Sequence, residues 1–202
     1  GFSIGAKGYI GTGYNGTFHN DFWEWDPAGN IWTKKADFGG GTRDDAFAFS
    51  IGNKGYIGGG LNGNGVSQQD FWEWDQVTDT WAQRAAYGGG TRRYATGFSI
   101  GCKGYAGTGL NSSGLCQDLW EYAPDSSSAV TAGIAGKTSI CAGEATALTA
   151  SGGTGYLWNT TASTATIVVS PADTSDYYVV VSDGCTSDTA SVMVTVTSLN
   201  IN

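Results

Sequence analysis

Short apolar runs separated by turn residues dominate the chain. The stretches "AFAFSI" at Ala46–Ile51 and "ATIVVS" at Ala165–Ser170 have the length of single β-strands, and each stands between polar or turn-forming residues. No stretch approaches the roughly 18 consecutive apolar residues that a membrane-spanning helix needs. The pattern predicts many short strands, almost no helix and no membrane span.

Composition points to the same class. The 202 residues include 33 Gly and eight Trp but only three Pro. Glycine permits the tight turns that connect short strands, while tryptophan supplies large buried area where aliphatic side chains are few. We therefore expect an all-β fold.

Three nearly identical segments mark an internal repeat. "KGYIGTG" begins at Lys7, "KGYIGGG" at Lys54 and "KGYAGTG" at Lys103, so the spacings are 47 and 49 residues. The segment "DFWEWD" at 21–26 recurs at 70–75 and, as "DLWEYA", at 118–123. A period of this length is typical of a propeller or a solenoid, in which each repeat is one supersecondary unit.

Each repeat contains four strand-like segments. In the second repeat these are "DDAFAFSIG", "KGYIGGG", "DFWEWD" and "DTWAQRA", which we name strands a, b, c and d. Short turn sequences join them, so the pattern predicts a four-stranded antiparallel sheet. The third repeat continues from "EYAPD" into a Ser- and Ala-rich stretch and has no counterpart of strand d.

The repeat resembles the kelch motif. The second repeat has the glycine doublet Gly59–Gly60, the pair Trp74–Asp75, a tryptophan at Trp81 and an arginine, Arg92, that opens the next unit. Thr12 and Thr108 interrupt the doublet elsewhere, and we expect irregular geometry there. The resemblance implies a partial kelch β-propeller over residues 1–122, whose last blade lacks strand d.

Three blades cannot close a ring, because propellers use about four to eight. We therefore expect the missing blades to come from the same longer chain or from a partner chain. The repeated Tyr and Trp residues are interpreted as scaffold. Arg43 and Arg92 are expected to bind blade carbonyls or an acid such as Asp75, although a ligand clamp is the alternative.

A second domain is predicted beyond the repeats. Residues 123–136 have the composition of a linker, and residues 137–202 contain several short β-rich segments around Trp158. The text "SICAGEATALTASGG" resembles Ig-like domains of secreted surface proteins of Bacteroidota. That resemblance implies an Ig-like β-sandwich, export by the type IX system, and a secreted or cell-surface location.

Charge and residue content exclude several functions. The net charge is −8 and the calculated pI is about 4.4, with no basic cluster, so we expect no nucleic-acid partner. The glycine-rich "GTGYNG" at 11–16 precedes a strand rather than the helix that a dinucleotide site requires. Kelch propellers include galactose oxidase, whose copper chemistry requires His and Tyr ligands and a modified Cys. This chain has a single His, and Asp44–Asp45 is interpreted as a solvated pair, so we expect no enzyme activity, metal or cofactor.

The binding surface is predicted where the repeats differ. The b–c and d–a loops of a propeller emerge on one face, and we call their candidate ligand-binding residues the loop face. These residues are Tyr14, Asn15, Phe18, His19, Phe38, Leu61, Asn62, Asn64, Gln68, Gln69, Tyr87, Leu110 and Asn111. Aromatic rings beside Asn and Gln suit a glycan, and a mostly apolar surface suits a protein. The favoured function is a binding or adhesion module with the Ig-like domain as spacer. Two alternatives remain: a structural subunit of a surface assembly, and a fragment of an exported galactose-oxidase-like enzyme.

Four cysteines allow three pairings. The Ig-like resemblance implies a disulfide between Cys141 and Cys185. Cys102 and Cys116 are predicted at opposite ends of strand b, some 20 Å apart, and are expected to be free or bonded to sequence elsewhere. The tripeptide "DTA" at 188–190 resembles an O-glycosylation sequence of exported Bacteroidota proteins and makes Thr189 a candidate acceptor, with an ordinary strand threonine as the alternative.

Overall fold

The protein is all-β, as the sequence predicts. The computed structural model describes residues 1–124 and 130–197, which form 22 strands and no helix. Backbone contacts divide the chain into two compact units, Gly1–Pro124 and Asp125–Asn202.

The first unit contains two four-stranded antiparallel sheets and a three-stranded one. Each sheet corresponds to one sequence repeat, and its strands follow in the order a, b, c, d from one edge to the other. Sheet 1 consists of β1 (Phe2–Ile4), β2 (Lys7–Tyr14), β3 (Phe18–Asp26) and β4 (Ile31–Lys34). Sheet 2 consists of β6 (Phe47–Ile51), β7 (Lys54–Gly58), β9 (Phe71–Asp75) and β10 (Thr80–Arg84).

Sheet 3 has strands a, b and c only. It consists of β11 (Thr96–Ile100), β12 (Lys103–Gly107) and β15 (Leu119–Tyr122). Two small ribbons complete the unit: β5 (Arg43–Asp44) pairs with β8 (Leu61–Asn62), and β13 (Leu110–Asn111) pairs with β14 (Gly114–Leu115). The described residues after Tyr122 contribute no further strand to sheet 3.

The glycine doublet after strand b has a steric role. At its first position Thr12, Gly59 and Thr108 share nearly the same left-handed backbone, with φ of 63°, 63° and 61°. The two threonines therefore share the backbone φ of Gly59, at the strain cost of a β-branched residue with positive φ. The register between β2 and β3 also shifts between Gly11 and Gly13, so the irregularity expected at Thr12 is present. At the second position a Cβ on Gly60 would lie 2.4 Å from the carbonyl oxygen of Asp44, so only glycine fits there.

Aromatic side chains form the core of the first unit. Phe22 and Trp74 are fully buried and meet edge to face at 5.0 Å, and Tyr9 packs against Trp74 at the same distance. The scaffold interpretation is confirmed for Tyr9 and Trp74, and for the buried Tyr56. Trp32 differs, because 54% of its surface is exposed, although it occupies the repeat position of Trp81.

The second unit contains two sheets around one core. One sheet consists of β16 (Gly133–Gly136), β18 (Thr146–Ser151) and β20 (Thr166–Val169). The other consists of β17 (Ser139–Cys141), β22 (Ser187–Thr197), β21 (Ser175–Ser182) and β19 (Gly155–Trp158). Their buried side chains belong to one cluster that includes Trp158, as expected for the core aromatic.

The linker is shorter than the sequence predicts. Gly133–Gly136 lies within the predicted linker 123–136, yet it pairs antiparallel with Leu148–Ser151 as strand β16. Ile134 of this strand packs against the core cluster. The linker prediction is wrong for this segment, because a glycine-rich stretch with one apolar side chain does not show by its composition that it pairs with a later strand. Residues 125–129, the middle of that predicted linker, lie outside the described residues.

The expected disulfide between Cys141 and Cys185 is not formed, because Cys141 is an exposed free thiol. The physical reason is the parallel pairing of β17 with β22, which places Cys141 opposite Thr197 at the end of β22. Cys185 precedes Ser187, where β22 begins. Ten residues of strand separate these two ends by about 30 Å. A disulfide requires Cα atoms within about 7 Å.

Candidate functional site

The b–c loops of all three repeats are built on one asparagine turn. Asn15, Asn62 and Asn111 occupy the same repeat position, and the side-chain Oδ1 of each accepts a hydrogen bond from the backbone N–H two residues later. Such a bond from the side chain to the backbone stabilises a tight turn. The three asparagines therefore shape the loops, and the side chains around them distinguish one loop from the next.

The first loop presents an aromatic pair next to polar groups. The ring of Tyr14 contacts that of Phe18 at a centroid distance of 4.9 Å, and 57% of Tyr14 is exposed. His19 lies 2.8 Å, through Nε2, from Oδ1 of Asn15. The four predicted residues of this loop thus lie together as a small surface with one ring face and several hydrogen-bonding groups.

The second loop is more polar. Leu61 and Asn62 are half-buried in strand β8, while Asn64 and Gln69 are exposed. The side-chain amide of Gln68 donates to the backbone oxygen of Val66 at 2.9 Å, so part of its hydrogen-bonding capacity is used within the loop.

The third loop carries an apolar residue that the sequence analysis did not select. Leu110 and Asn111 are half-buried in β13, but Leu115 in the partner strand β14 is 87% exposed. Cys116, directly after it, is a half-buried free thiol. The signal for Leu115 was present, because it lies in a loop whose sequence differs between the repeats.

Phe38 and Tyr87 do not belong to the loop face. Both are buried, and both contact the guanidinium of the arginine that opens the following sheet, at 5.4 Å for Phe38 and 5.7 Å for Tyr87. The Tyr87 hydroxyl donates to the backbone oxygen of Ala106 at 3.0 Å, and burial raises the pKa of Tyr87 to about 12. The d–a loop turns these rings inward because the neighbouring sheet supplies an apolar surface for them.

Arg43 and Arg92 are structural clamps. Each is 1% exposed and makes a two-pronged contact with a carboxylate, Arg43 with Asp70 at 2.6 and 2.9 Å and Arg92 with Asp118 at 2.6 and 2.8 Å. Each also donates to backbone oxygens on both sides, in Arg43 to Gly59 at 2.6 Å and to Gly40 at 2.7 Å. The predicted carbonyl contacts are confirmed, and the acid is Asp70 instead of Asp75.

A charged cluster lies where strand a begins. Asp45 and Tyr94 share one repeat position and both have left-handed backbones, with φ of 55° and 57°, which non-glycine residues rarely adopt. Burial and the neighbouring Asp44 raise the pKa of Asp45, and the guanidinium of Arg93 lies 5.4 Å from the Tyr94 ring. Asp44–Asp45 is therefore half-buried and partnered, and the description of it as a solvated pair is wrong.

No cluster of three or more His, Cys, Asp or Glu side chains that could hold a metal ion occurs in residues 1–124 and 130–197. Within the same described ranges no helix could cross a membrane. Thr189 is exposed on strand β22, next to Asp188, whose carboxylate accepts the backbone N–H of Thr189 at 2.8 Å.

Comparison with known proteins identifies a similar fold. Neither the protein-family models nor the curated protein sequences match this chain. One similar solved structure is that of a fungal alcohol oxidase of the AA5 family in complex with copper, with a TM-score of 0.52 and 15% sequence identity. The match covers 94% of this chain and 52% of that one, so the chain spans about half the length of the structure it matches. At this identity the likeness concerns the fold alone.

Proposed function

We propose that the protein is a non-catalytic binding or adhesion module of a secreted or cell-surface protein, built from kelch-type propeller blades and an Ig-like domain. Support for the blades comes from three sheets with the same strand order, two complete and one with three strands. Support for the Ig-like domain comes from two sheets that enclose a core around Trp158.

One observation carries the binding function. The three b–c loops share an asparagine turn, yet each presents different exposed side chains: Tyr14 in the first, Asn64 in the second and Leu115 in the third. A constant scaffold with variable exposed side chains is the arrangement in which rigid elements position binding residues on loops.

The first loop is the best site for a glycan. The exposed face of Tyr14 offers an apolar surface, and the Asn15 amide and His19 imidazole beside it offer hydrogen bonds to hydroxyl groups. The apolar Leu115 in the third loop favours a protein ligand instead. We assign the ligand to the glycan class on the first loop and keep a protein ligand as the alternative outcome.

A glycan array with the intact chain tests this assignment. Wild type should bind a defined set of glycans, and Tyr14→Ala should lose that binding while its melting temperature stays the same. Tyr178→Ala, which removes a half-exposed tyrosine from the second unit, is the matched control and should bind normally. Unchanged glycan binding by Tyr14→Ala would reject the first loop as the site.

The fold likeness to an alcohol oxidase supports one further candidate, a fragment of an exported oxidase. The test is incubation of the chain with copper(II) and primary alcohols, including galactose, followed by measurement of hydrogen peroxide. The binding proposal expects no turnover. Turnover that a His19→Ala variant loses would establish the oxidase function.

Thr189 is proposed as an O-glycan acceptor because it is exposed and follows an aspartate. Peptide mass analysis of the protein secreted from its native host should find a hexose-containing mass on the peptide with Thr189. An unmodified peptide in every preparation would reject the assignment.

A further inference from the structure

Among the described residues, Arg93 is the one basic side chain without an ion pair. All ten Lys and Arg residues lie in the described ranges, and nine of them form an ion pair with a carboxylate. The guanidinium of Arg93 instead lies over the exposed ring of Tyr94, and it interacts electrostatically with Asp45 from beyond ion-pair distance. Arginine binds planar anionic groups best, so this guanidinium is available to a carboxylate of a ligand.

The backbone of Arg93 is fixed against the third b–c loop. Its N–H donates to the carbonyl oxygen of Leu110 at 3.0 Å, and its own carbonyl oxygen accepts the N–H of Leu110 at 2.8 Å. Gly109 permits this close approach, because a Cβ there would lie 2.4 Å from the carbonyl oxygen of Arg93. The backbone that carries the arginine is therefore in place before any ligand binds, which lowers the entropy cost of binding.

Two leucines extend the surface that begins at Arg93. Arg93 lies opposite Leu110, and Leu110 lies opposite Leu115 in the ribbon of β13 and β14. Directly opposed residues of antiparallel strands project their side chains to the same face and lie about 5 Å apart. Arg93, Leu110 and Leu115 thus form a row, which we call the Arg93 row. It joins a cation to an apolar surface that ends at the exposed Leu115.

The second repeat has the same backbone pairing but different chemistry. Leu61 lies between Asp44 and Ser67 there, at the positions that correspond to the Arg93 row. A carboxylate replaces the guanidinium, and a hydroxyl group replaces the exposed leucine. Because the second repeat forms its sheet without these side chains, the Arg93 row is a property of the third loop and not a packing requirement of the repeat.

We propose that the Arg93 row is a second binding site, separate from the first loop, for a protein segment with an acidic residue and an apolar residue two positions later. The carboxylate binds the guanidinium of Arg93, and the apolar side chain packs on Leu110 and Leu115. Side chains at i and i+2 of an extended segment lie on one side, about 7 Å apart, which is within the length of the row. A peptide suits this surface better than a glycan, because leucine offers no hydrogen bond to a hydroxyl group that it covers.

An array of short synthetic peptides tests the site with the full chain. The peptides share one polar background and differ at two places: the first is Glu, Gln or Lys, and the second, two residues later, is Leu or Ser. Wild type should bind the peptide with Glu and Leu about fivefold more strongly than the peptide with Gln and Leu at low salt, and this ratio should fall as salt is added. It should also prefer Leu to Ser at the second place.

Variants of the protein locate the site. Arg93→Met should remove the preference for Glu over Gln, and Arg93→Asp, which introduces the charge of the second repeat, should favour Lys. Leu115→Ser should remove the preference for Leu over Ser and keep that for Glu, and because Leu115 is exposed its melting temperature should not change. Lys103→Met, which removes another basic side chain of sheet 3, is the matched control and should bind as wild type does.

The outcomes separate this proposal from the glycan site. Tyr14→Ala should bind the peptides normally, so loss of glycan binding by that variant leaves the Arg93 row unaffected. Wild type without a preference for Glu over Gln would overturn the proposal, and so would a preference that Arg93→Met retains. Leu115→Ser decides the question if Arg93→Met does not fold, since an unchanged preference for Leu would also overturn it. Arg93-dependent binding of sulfated or uronic-acid glycans, with no discrimination among the peptides, would replace the peptide by a glycan and overturn it as well.

Discussion

Replacing Arg43 by methionine should strongly destabilise the first unit. Arg43 is 1% exposed and makes four hydrogen bonds: two to Asp70, one to the backbone oxygen of Gly59 and one to that of Gly40. Methionine fills most of the volume but donates none of them. The side chain of Asp70 is 19% exposed. Without Arg43 its carboxylate keeps one of the side-chain hydrogen bonds described, from the indole N–H of Trp72.

The magnitude follows from the burial of this ion pair. Removal of one partner of a buried, hydrogen-bonded pair costs about 3–5 kcal/mol, because the remaining charge is left uncompensated. For a unit of this size, 3 kcal/mol corresponds to a decrease in melting temperature of roughly 10 °C. The matched substitution Arg92→Met should cost less, about 2 kcal/mol, because 35% of the Asp118 side chain is exposed and water can replace part of the loss.

Thermal and urea unfolding of the full chain provide the assay, with near-ultraviolet circular dichroism as the signal for the first unit, which holds seven of the eight tryptophans. Lys34→Met is the surface control: it removes an exposed i,i+3 pair with Asp37 and should change stability by about 0.5 kcal/mol or less. Adding Asp70→Leu to Arg43→Met should recover part of the loss, because the uncompensated charge disappears. An Arg43→Met variant as stable as Lys34→Met, or less affected than Arg92→Met, would refute the assignment of this arginine as a buried clamp.

Three further predictions concern acid stability, the loop face and the cysteines. Hydrogen bonds from Arg92 hold the pKa of Asp118 below its usual range. Burial raises the pKa of Asp70 and of Asp75, but hydrogen bonds from Arg43 to Asp70 and from Lys54 to Asp75 outweigh it, so both pKa values are lowered. Since these carboxyls are harder to protonate in the folded state, their contribution is complete above about pH 4 and is lost as the pH falls further; a melting temperature that is constant from pH 6 to pH 2.5 would contradict this. Phe38→Ala should destabilise the protein by about 3–5 kcal/mol because its ring is buried, whereas Tyr14→Ala should leave the unfolding midpoint nearly unchanged. Similar midpoints for the two variants would show that Phe38 is not a core residue. Cys141 should react with a maleimide in the native protein, since it is exposed and free, and peptide mapping that finds it unlabelled and linked to Cys185 would restore the disulfide implied by the sequence.

The proposed site was predictable only in part. Tyr14, Phe18 and His19 could be selected because they lie in a loop that differs from its counterparts, and the structure brings them together. Phe38 and Tyr87 lie in an equally plausible loop, but their rings turn towards the adjacent sheet. A single sequence does not show which side of a loop faces a neighbouring element, because that depends on contacts with residues far along the chain.

The sequence by itself determined the local structure of this protein. A repeat spacing of 47 and 49 residues located strands a to d in the first two sheets and strands a to c in the third, because strand formation and tight turns depend on nearby residues. Only the tertiary structure decided what depends on distant partners. The parallel pairing of β17 with β22 separates Cys141 from Cys185, and strand β16 forms within a segment of linker composition. Each of these features arises from pairing between segments that carry no local record of one another.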